Sequence, residues 1–133
     1  MIHVPDMSRR ARAIDLWATL KYLGRQGVAE LIEGLCDRAA QFAGLLAAIG
    51  FHILNDVVFN QVLVACDSPR LARATLASVQ ASGVCWCGGT QWNHEPAMRI
   101  SVSSWATTAD DVRRSAKGFV RAREHAAVDL QAR

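Results

Sequence analysis

The strongest periodic signal lies between residues 28 and 49. Val28, Leu31, Ile32, Leu35, Ala39, Phe42, Leu46 and Ile49 follow steps of three and four. That spacing is one apolar stripe on a long amphipathic helix, and Gly50 is placed to end it. Upstream, Ser8 can cap a helix running to about residue 23, with Ile14, Trp17, Ala18 and Lys21 at helical intervals. Gly24 and Gly27 stop that helix and restart the chain. Past Gly50 the period shortens. Residues 51–54 read as a strand and Asn55-Asp56 as turn chemistry. Residues 59–66 read as a second strand, apolar on both faces and therefore central. Ser68 and Pro69 open the next helix as N-cap and first helical residue; Leu71, Ala72, Thr75, Leu76 and Val79 form its inner face, and Gly83 closes it. Residues 84–87 read as a short strand, Gly88-Gly89 as a turn, and residues 98–104 as the last strand. Thr107 or Thr108 caps a final helix to about residue 127, with Asp110 and Asp111 in its first turn, where the helix dipole favours them.

The order is helix, helix, strand, strand, helix, strand, strand, helix. Strands joined by short loops pair antiparallel, and helices then cover one face of a small sheet. The expected class is α+β: a two-layer sandwich with a small, mostly antiparallel sheet and helices on one face, preceded by a long N-terminal helical segment. Neighbouring helix–strand units point to a ferredoxin-like arrangement.

Composition narrows the function classes. The 133 residues suit a single core, and 51% hydrophobic with 20% charged residues is a globular balance. The net charge of +3 comes from scattered arginines, so no nucleic-acid partner is expected. No apolar run reaches bilayer length, and residues 1–12 lack the apolar core of a secretory signal, so the expectation is a cytoplasmic protein with no membrane partner. Cys85-Trp86-Cys87 is too tightly spaced for a zinc knuckle, and neither Cys36, Cys66 nor the scattered His3, His52, His94 and His125 completes a ligand set. The expectation is buried, reduced thiols and no metal.

The candidate chemistry concentrates in residues 85–111. Side chains alternate across a strand, so Met98, Ile100 and Val102 point one way and Arg99, Ser101, Ser103 and Trp105 the other. Two readings of Arg99 stand at this point: a solvent-facing or locally paired arginine, or one poised to meet an anion. Gly88-Gly89-Thr90 is either a plain turn or a set of backbone donors, and Asn55-Asp56 is either a hairpin turn or a pair of polar site residues. No nucleophile elbow and no dinucleotide or phosphate-binding glycine loop is present.

A set of short matches runs in order over nearly the whole chain. It comprises Ser8-Arg9-Arg10-Ala11-Arg12, Leu16-Trp17, Leu20, Gly24-Arg25 and Gly27-Val28, then Gly50-Phe51, Leu54-Asn55 and Phe59-Asn60-Gln61-Val62. It continues with Gly83, Trp86, Gly89-Thr90, Met98-Arg99-Ile100-Ser101 and Thr107-Thr108. The ordered set resembles the C-terminal, small-domain segment of the pyridoxal-phosphate-dependent group II amino-acid decarboxylases, which belong to the fold type I, aspartate aminotransferase-like superfamily.

The resemblance implies a division into residues 1–27, a helical segment linking to an absent large domain, and residues 28–133, a small C-terminal α+β domain. It implies a carboxy-lyase whose cofactor, pyridoxal phosphate, forms a Schiff base with a lysine directly following a histidine. The two lysines here, Lys21 after Leu20 and Lys117 after Ala116, do not match that motif. The implied catalytic and cofactor-binding residues of this chain are therefore none, and it is expected to bind no cofactor and to be inactive alone. The implied substrate-binding residue is Arg99, supported by Ser101 and Ser103. The implied partners are the large domain or a homologous subunit, in a homo-oligomer. The alternative is a stand-alone α+β binding or dimerisation module. Trp17 separates the two: a segment made for an absent domain leaves it exposed, whereas an independent module buries it.

Overall fold

The computed structural model describes residues 11–132. In order, its elements are α1 (Arg12–Ala48), β1 (His52–Ile53), β2 (Gln61–Ala65), α2 (Pro69–Ser82), β3 (Gly88–Trp92), β4 (Glu95–Ser101) and α3 (Ala109–Gln131). The class is α+β, as expected. The chain divides into two compact units between Ile32 and Glu33.

The described part of the first unit is helical. Gly24 interrupts α1 with φ 63° and ψ −174°, a conformation open to glycine and costly for other residues. Gly27, expected to share in the break, stays helical. The Ser8 cap lies outside the described residues. Ile14, Leu16, Trp17, Leu20 and Tyr22 are all exposed.

In the second unit the end of α1 delivers part of the predicted stripe to the core: Ala39, Phe42 and Leu46 are buried, with Ala43 beside them, whereas Ile32 in the first unit is exposed. Gly50, at φ 83°, ends the helix, and the Phe51 amide closes the turn by donating to the Leu46 carbonyl at 3.0 Å. The sheet order is β1-β2-β4-β3, with every neighbouring pair antiparallel. Val62 lies opposite Ile100 and Val64 opposite Met98, and all four are buried on one face with α2's Ala72, Thr75 and Val79. Phe119 of α3 is fully buried and meets Phe42 and Phe51 edge-on, with centroids 5.7 and 5.9 Å apart. The apolar residues among these form one cluster, so the helices of the second unit pack on one side of the sheet, and Gln61, Arg99 and Ser101 are exposed on the other.

The ferredoxin-like expectation holds for part of the topology. β2, α2 and β3 form a split βαβ unit, with β4 inserted antiparallel between the two strands. The remaining edge belongs to β1, a hairpin partner from earlier in the chain rather than a strand after α3.

The second hairpin departs from expectation. Residues 84–87 form no strand, and Gly88-Gly89 belongs to β3 rather than to a turn. The turn is Asn93-His94, with φ of 49° and 68°. A two-residue hairpin loop of this hand needs positive φ at both central residues. A Cβ on Gly89 would stand 2.8 Å from Leu76 Cδ2, the tip of a side chain on α2 that would have to move aside. The last strand accordingly begins and ends three residues earlier than expected, at Glu95 and Ser101, leaving Ser103 and Trp105 in the connection to α3. The α3 cap is Thr108, in a reciprocal capping box with Asp111.

Candidate functional site

The sheet face opposite the second unit's helices carries the polar candidates. Arg99 sits in β4 between Leu63 of β2 and Gly88 of β3, and its side chain is exposed. Its guanidinium reaches toward Gly88: a Cβ there would lie 3.9 Å from Arg99 Nη2. Trp86, two residues before Gly88, is 74% exposed. Among the described residues the Arg99 side chain has no hydrogen bond or ion pair. A guanidinium held on a rigid strand without a carboxylate partner keeps its planar fork of donors available to a carboxylate or phosphate. Ser101 is exposed on the same face, with Gln61 opposite. Ser103 is exposed beyond the end of β4. The structure thus brings Arg99 and Ser101 together on one strand face and places Ser103 in the following loop.

A second polar pair stands on β1. His52 Nε2 lies 2.9 Å from Asp67 Oδ1, both side chains being exposed. They line a groove of about 400 Å³ with Leu54, Trp92, Glu95 and Pro96. The carboxylate orients the imidazole through Nε2 and leaves Nδ1 for another partner. Sequence reasoning missed this pair. The signal was the β1–β2 hairpin register, which sets His52 opposite Ala65 and so within reach of Asp67, two residues on. Asn55, read as turn or site, ties the hairpin: its Nδ2 donates to the Gln61 carbonyl at 3.2 Å, and its Oδ1 accepts from the Leu63 amide at 2.7 Å.

All four cysteines are free thiols. Burial pushes the Cys87 thiol up to about 12, with Cys85 adding to the effect. Burial also raises Cys66 and Cys85, against hydrogen bonds with Thr75 and Ser115 that pull the other way. These are packing thiols rather than nucleophiles. Among the described residues no three His, Cys, Asp or Glu side chains gather in a way that could hold a metal ion. No helix there is long and apolar enough to cross a membrane. Lys21 is exposed on α1 and Lys117 on α3. Lys117 belongs to the helical layer rather than the Arg99 face, and no histidine precedes either lysine. The residues present do not fit a covalent anchor for an aldehyde cofactor.

The fold is that of a segment found within group II pyridoxal-phosphate-dependent decarboxylases. Tryptophan decarboxylase of Catharanthus roseus, solved in complex with L-tryptophan, is 19% identical, with a TM-score of 0.78 over 88% of this chain and 27% of its own. The 4-hydroxyphenylacetaldehyde synthase of Rhodiola rosea is 23% identical, with a TM-score of 0.77 over 88% of this chain and 27% of its own. The glutamate decarboxylase domain of a diaminobutyrate-pyruvate transaminase and L-2,4-diaminobutyrate decarboxylase from Vibrio parahaemolyticus is 15% identical, with a TM-score of 0.72 over 85% of this chain and 26% of its own. This chain spans about a quarter of the length of those structures. No protein-family sequence model matches it, and no curated protein sequence does.

Proposed function

We propose that this chain is the C-terminal, small-domain portion of a pyridoxal-phosphate-dependent amino-acid decarboxylase, and that it acts only together with a large domain. The observation that carries this reading is the match of 88% of the chain onto 27% of a decarboxylase structure. Two features of the molecule support it. Trp17 is 62% exposed, with Ile14, Leu16 and Leu20 also exposed on the same helical segment, as a segment made to be covered would be. Among the described residues the Arg99 side chain stands without a partner, on the sheet face opposite the second unit's helices, where a cleft against a second domain would form. In this function Arg99 binds a carboxylate of the amino-acid substrate, with Ser101 on the same strand face and Ser103 in the loop that follows. The large domain supplies the lysine and the cofactor, which stabilises the carbanion left when carbon dioxide departs. Free thiols suit a reducing, cytoplasmic setting, and the complete enzyme is a homo-oligomer in this proposal.

The test is complementation. The purified chain is mixed with a group II decarboxylase truncated to remove the matching segment, and complex formation and carbon dioxide release are measured separately. Formation of a complex, with turnover in the mixture and in neither part alone, is expected. Failure to associate with any such truncated decarboxylase, with a stable monomer that binds no hydrophobic dye, overturns the proposal in favour of an independent module.

A further inference from the structure

The two edges of the sheet are finished differently. β1 is two residues long, so its outer side cannot sustain a ladder, and the Asn55 side chain occupies β2 groups just beyond it. β3 is five residues long, Gly88-Gly89-Thr90-Gln91-Trp92, with no proline, no charge and no partner strand on its outer side among the described residues. The register identifies the free groups. Trp92 and Glu95 flank a two-residue turn and form its hydrogen-bonded closing pair, so Thr90 and Gly88 also direct their amides and carbonyls to β4. Gly89 and Gln91 therefore direct theirs outward. Gln91 lies opposite Pro96, which has no N–H to give. No turn, loop or side-chain hydrogen bond reaches the outward groups of Gly89 or Gln91.

This bare edge borders a groove of about 370 Å³ between β3 and α2, lined by Ala72, Arg73, Leu76, Gly89, Gln91 and Pro96 among others. The lining is apolar at its floor and cationic at its rim. Arg70, one turn before Arg73 on the same helix, is also exposed, and neither arginine has an ion pair or hydrogen bond among the described residues.

We infer that the β3–α2 groove binds an extended acidic peptide segment, which adds to the sheet as a fifth strand beside β3. The outward N–H and C=O groups of Gly89 and Gln91 supply the main-chain ladder, as in other strand-addition sites. Side chains of the incoming strand that point toward α2 meet Arg73, the one cation in the lining, with Arg70 a turn away on the same helix, which selects carboxylates. The same charges argue against a second copy of this chain as occupant. Edge-to-edge pairing of two β3 strands would bring two α2 helices and their unpaired arginines together. The site is remote from the Arg99 face in function and does not depend on the decarboxylase proposal.

The experiment uses the full chain and a fluorescein-labelled peptide of alternating valine and glutamate, with an alternating valine–lysine peptide as control. Binding is read by anisotropy, and amide exchange is followed at Gly89 and Gln91. The expected result is saturable binding of the glutamate peptide only, with slowed exchange at those two amides. Arg73→Glu is expected to weaken it by about tenfold, the scale of one lost charge-assisted contact. Gln91→Pro removes an outward donor without removing a β3–β4 bond and is expected to weaken binding at least as much. No binding of the glutamate peptide overturns the inference. So does binding with unchanged exchange at Gly89 and Gln91, or binding indifferent to both substitutions. Dimerisation of the free chain that Gln91→Pro abolishes would make the occupant a second copy and overturn it likewise.

Discussion

The guanidinium carbon of Arg123 lies 4.4 Å from the ring centroid of Phe51. From that position Arg123 also donates to the carbonyls of Ile49 and Gly50, at 2.7 and 3.0 Å. One side chain of α3 thus closes the C-terminus of α1, seventy-four residues earlier in the chain, and covers the ring that leads into β1. A cation satisfies the last carbonyls of a helix and complements its dipole. Arg123→Met is expected to destabilise the fold by about 1.5–3 kcal/mol, the scale of charged hydrogen bonds plus a cation–π contact. Arg123→Lys should restore less than half of that, because an ammonium cannot form the fork to two carbonyls while lying flat on a ring. Urea unfolding of the three proteins checks both.

Asp111 makes acid stability a property of the α3 cap. Its carboxylate accepts from the Thr108 hydroxyl and amide, at 2.6 and 2.9 Å, and these bonds, with Arg114, hold it below the ordinary aspartate value of 3.8. A depressed pKa contributes stability that is present above the unfolded value and is lost as pH falls through the folded one. Stability should therefore fall with acidification below about pH 4. Asp111→Asn should flatten that part of the profile while lowering stability at neutral pH. Urea midpoints measured across an acid series test it, and a profile unchanged by the substitution contradicts it.

Cys87 predicts the opposite pH limb. With the folded thiol pushed up from 9.0 to about 12, folding favours its protonated form. That stability is complete below pH 9.0 and is lost as pH rises from there toward 12. At pH 8 only about one Cys87 in ten thousand is thiolate, so iodoacetamide should modify the partly exposed Cys36 first and Cys87 only on unfolding. Mass spectrometry of native and urea-treated samples distinguishes the two.

Arg99 should matter to chemistry and not to folding. Exposed and unpaired, it is expected to tolerate Arg99→Lys in the isolated chain with a stability change within about 0.5 kcal/mol. In a chain rejoined to a compatible large domain, the same substitution should cost about 1.5–3 kcal/mol, roughly ten- to hundred-fold in kcat/KM. Unchanged kinetics with the fold intact would return Arg99 to the class of surface arginines.

Much of this fold is legible locally. The α1 stripe, the Ser68-Pro69 opening and Gly83 end of α2, and the Thr108 cap all lie where nearest-neighbour chemistry puts them. The face shared by Arg99 and Ser101 follows from strand alternation alone. The second hairpin is not legible in this way, because Gly88-Gly89 is a stronger turn signal than Asn93-His94 when read in isolation. The neighbour that a side chain at 89 would meet is Leu76, on a different element thirteen residues away. The His52–Asp67 pair likewise needs the register of β1 on β2, and the room beside Arg99 needs to be known as Gly88. Long-range contacts decide each of these, and no local window contains them.

The unequal finish of the sheet edges sets a valence. A sheet with two open edges can accept a strand at each, and repetition of that contact makes a fibre. Here the β1 side is too short to receive a strand, and Asn55 already occupies the backbone beyond it. Growth through β3 consumes the one usable edge. Two copies of this chain joined through β3 would turn only their β1 sides outward, so self-pairing through the sheet would stop at two.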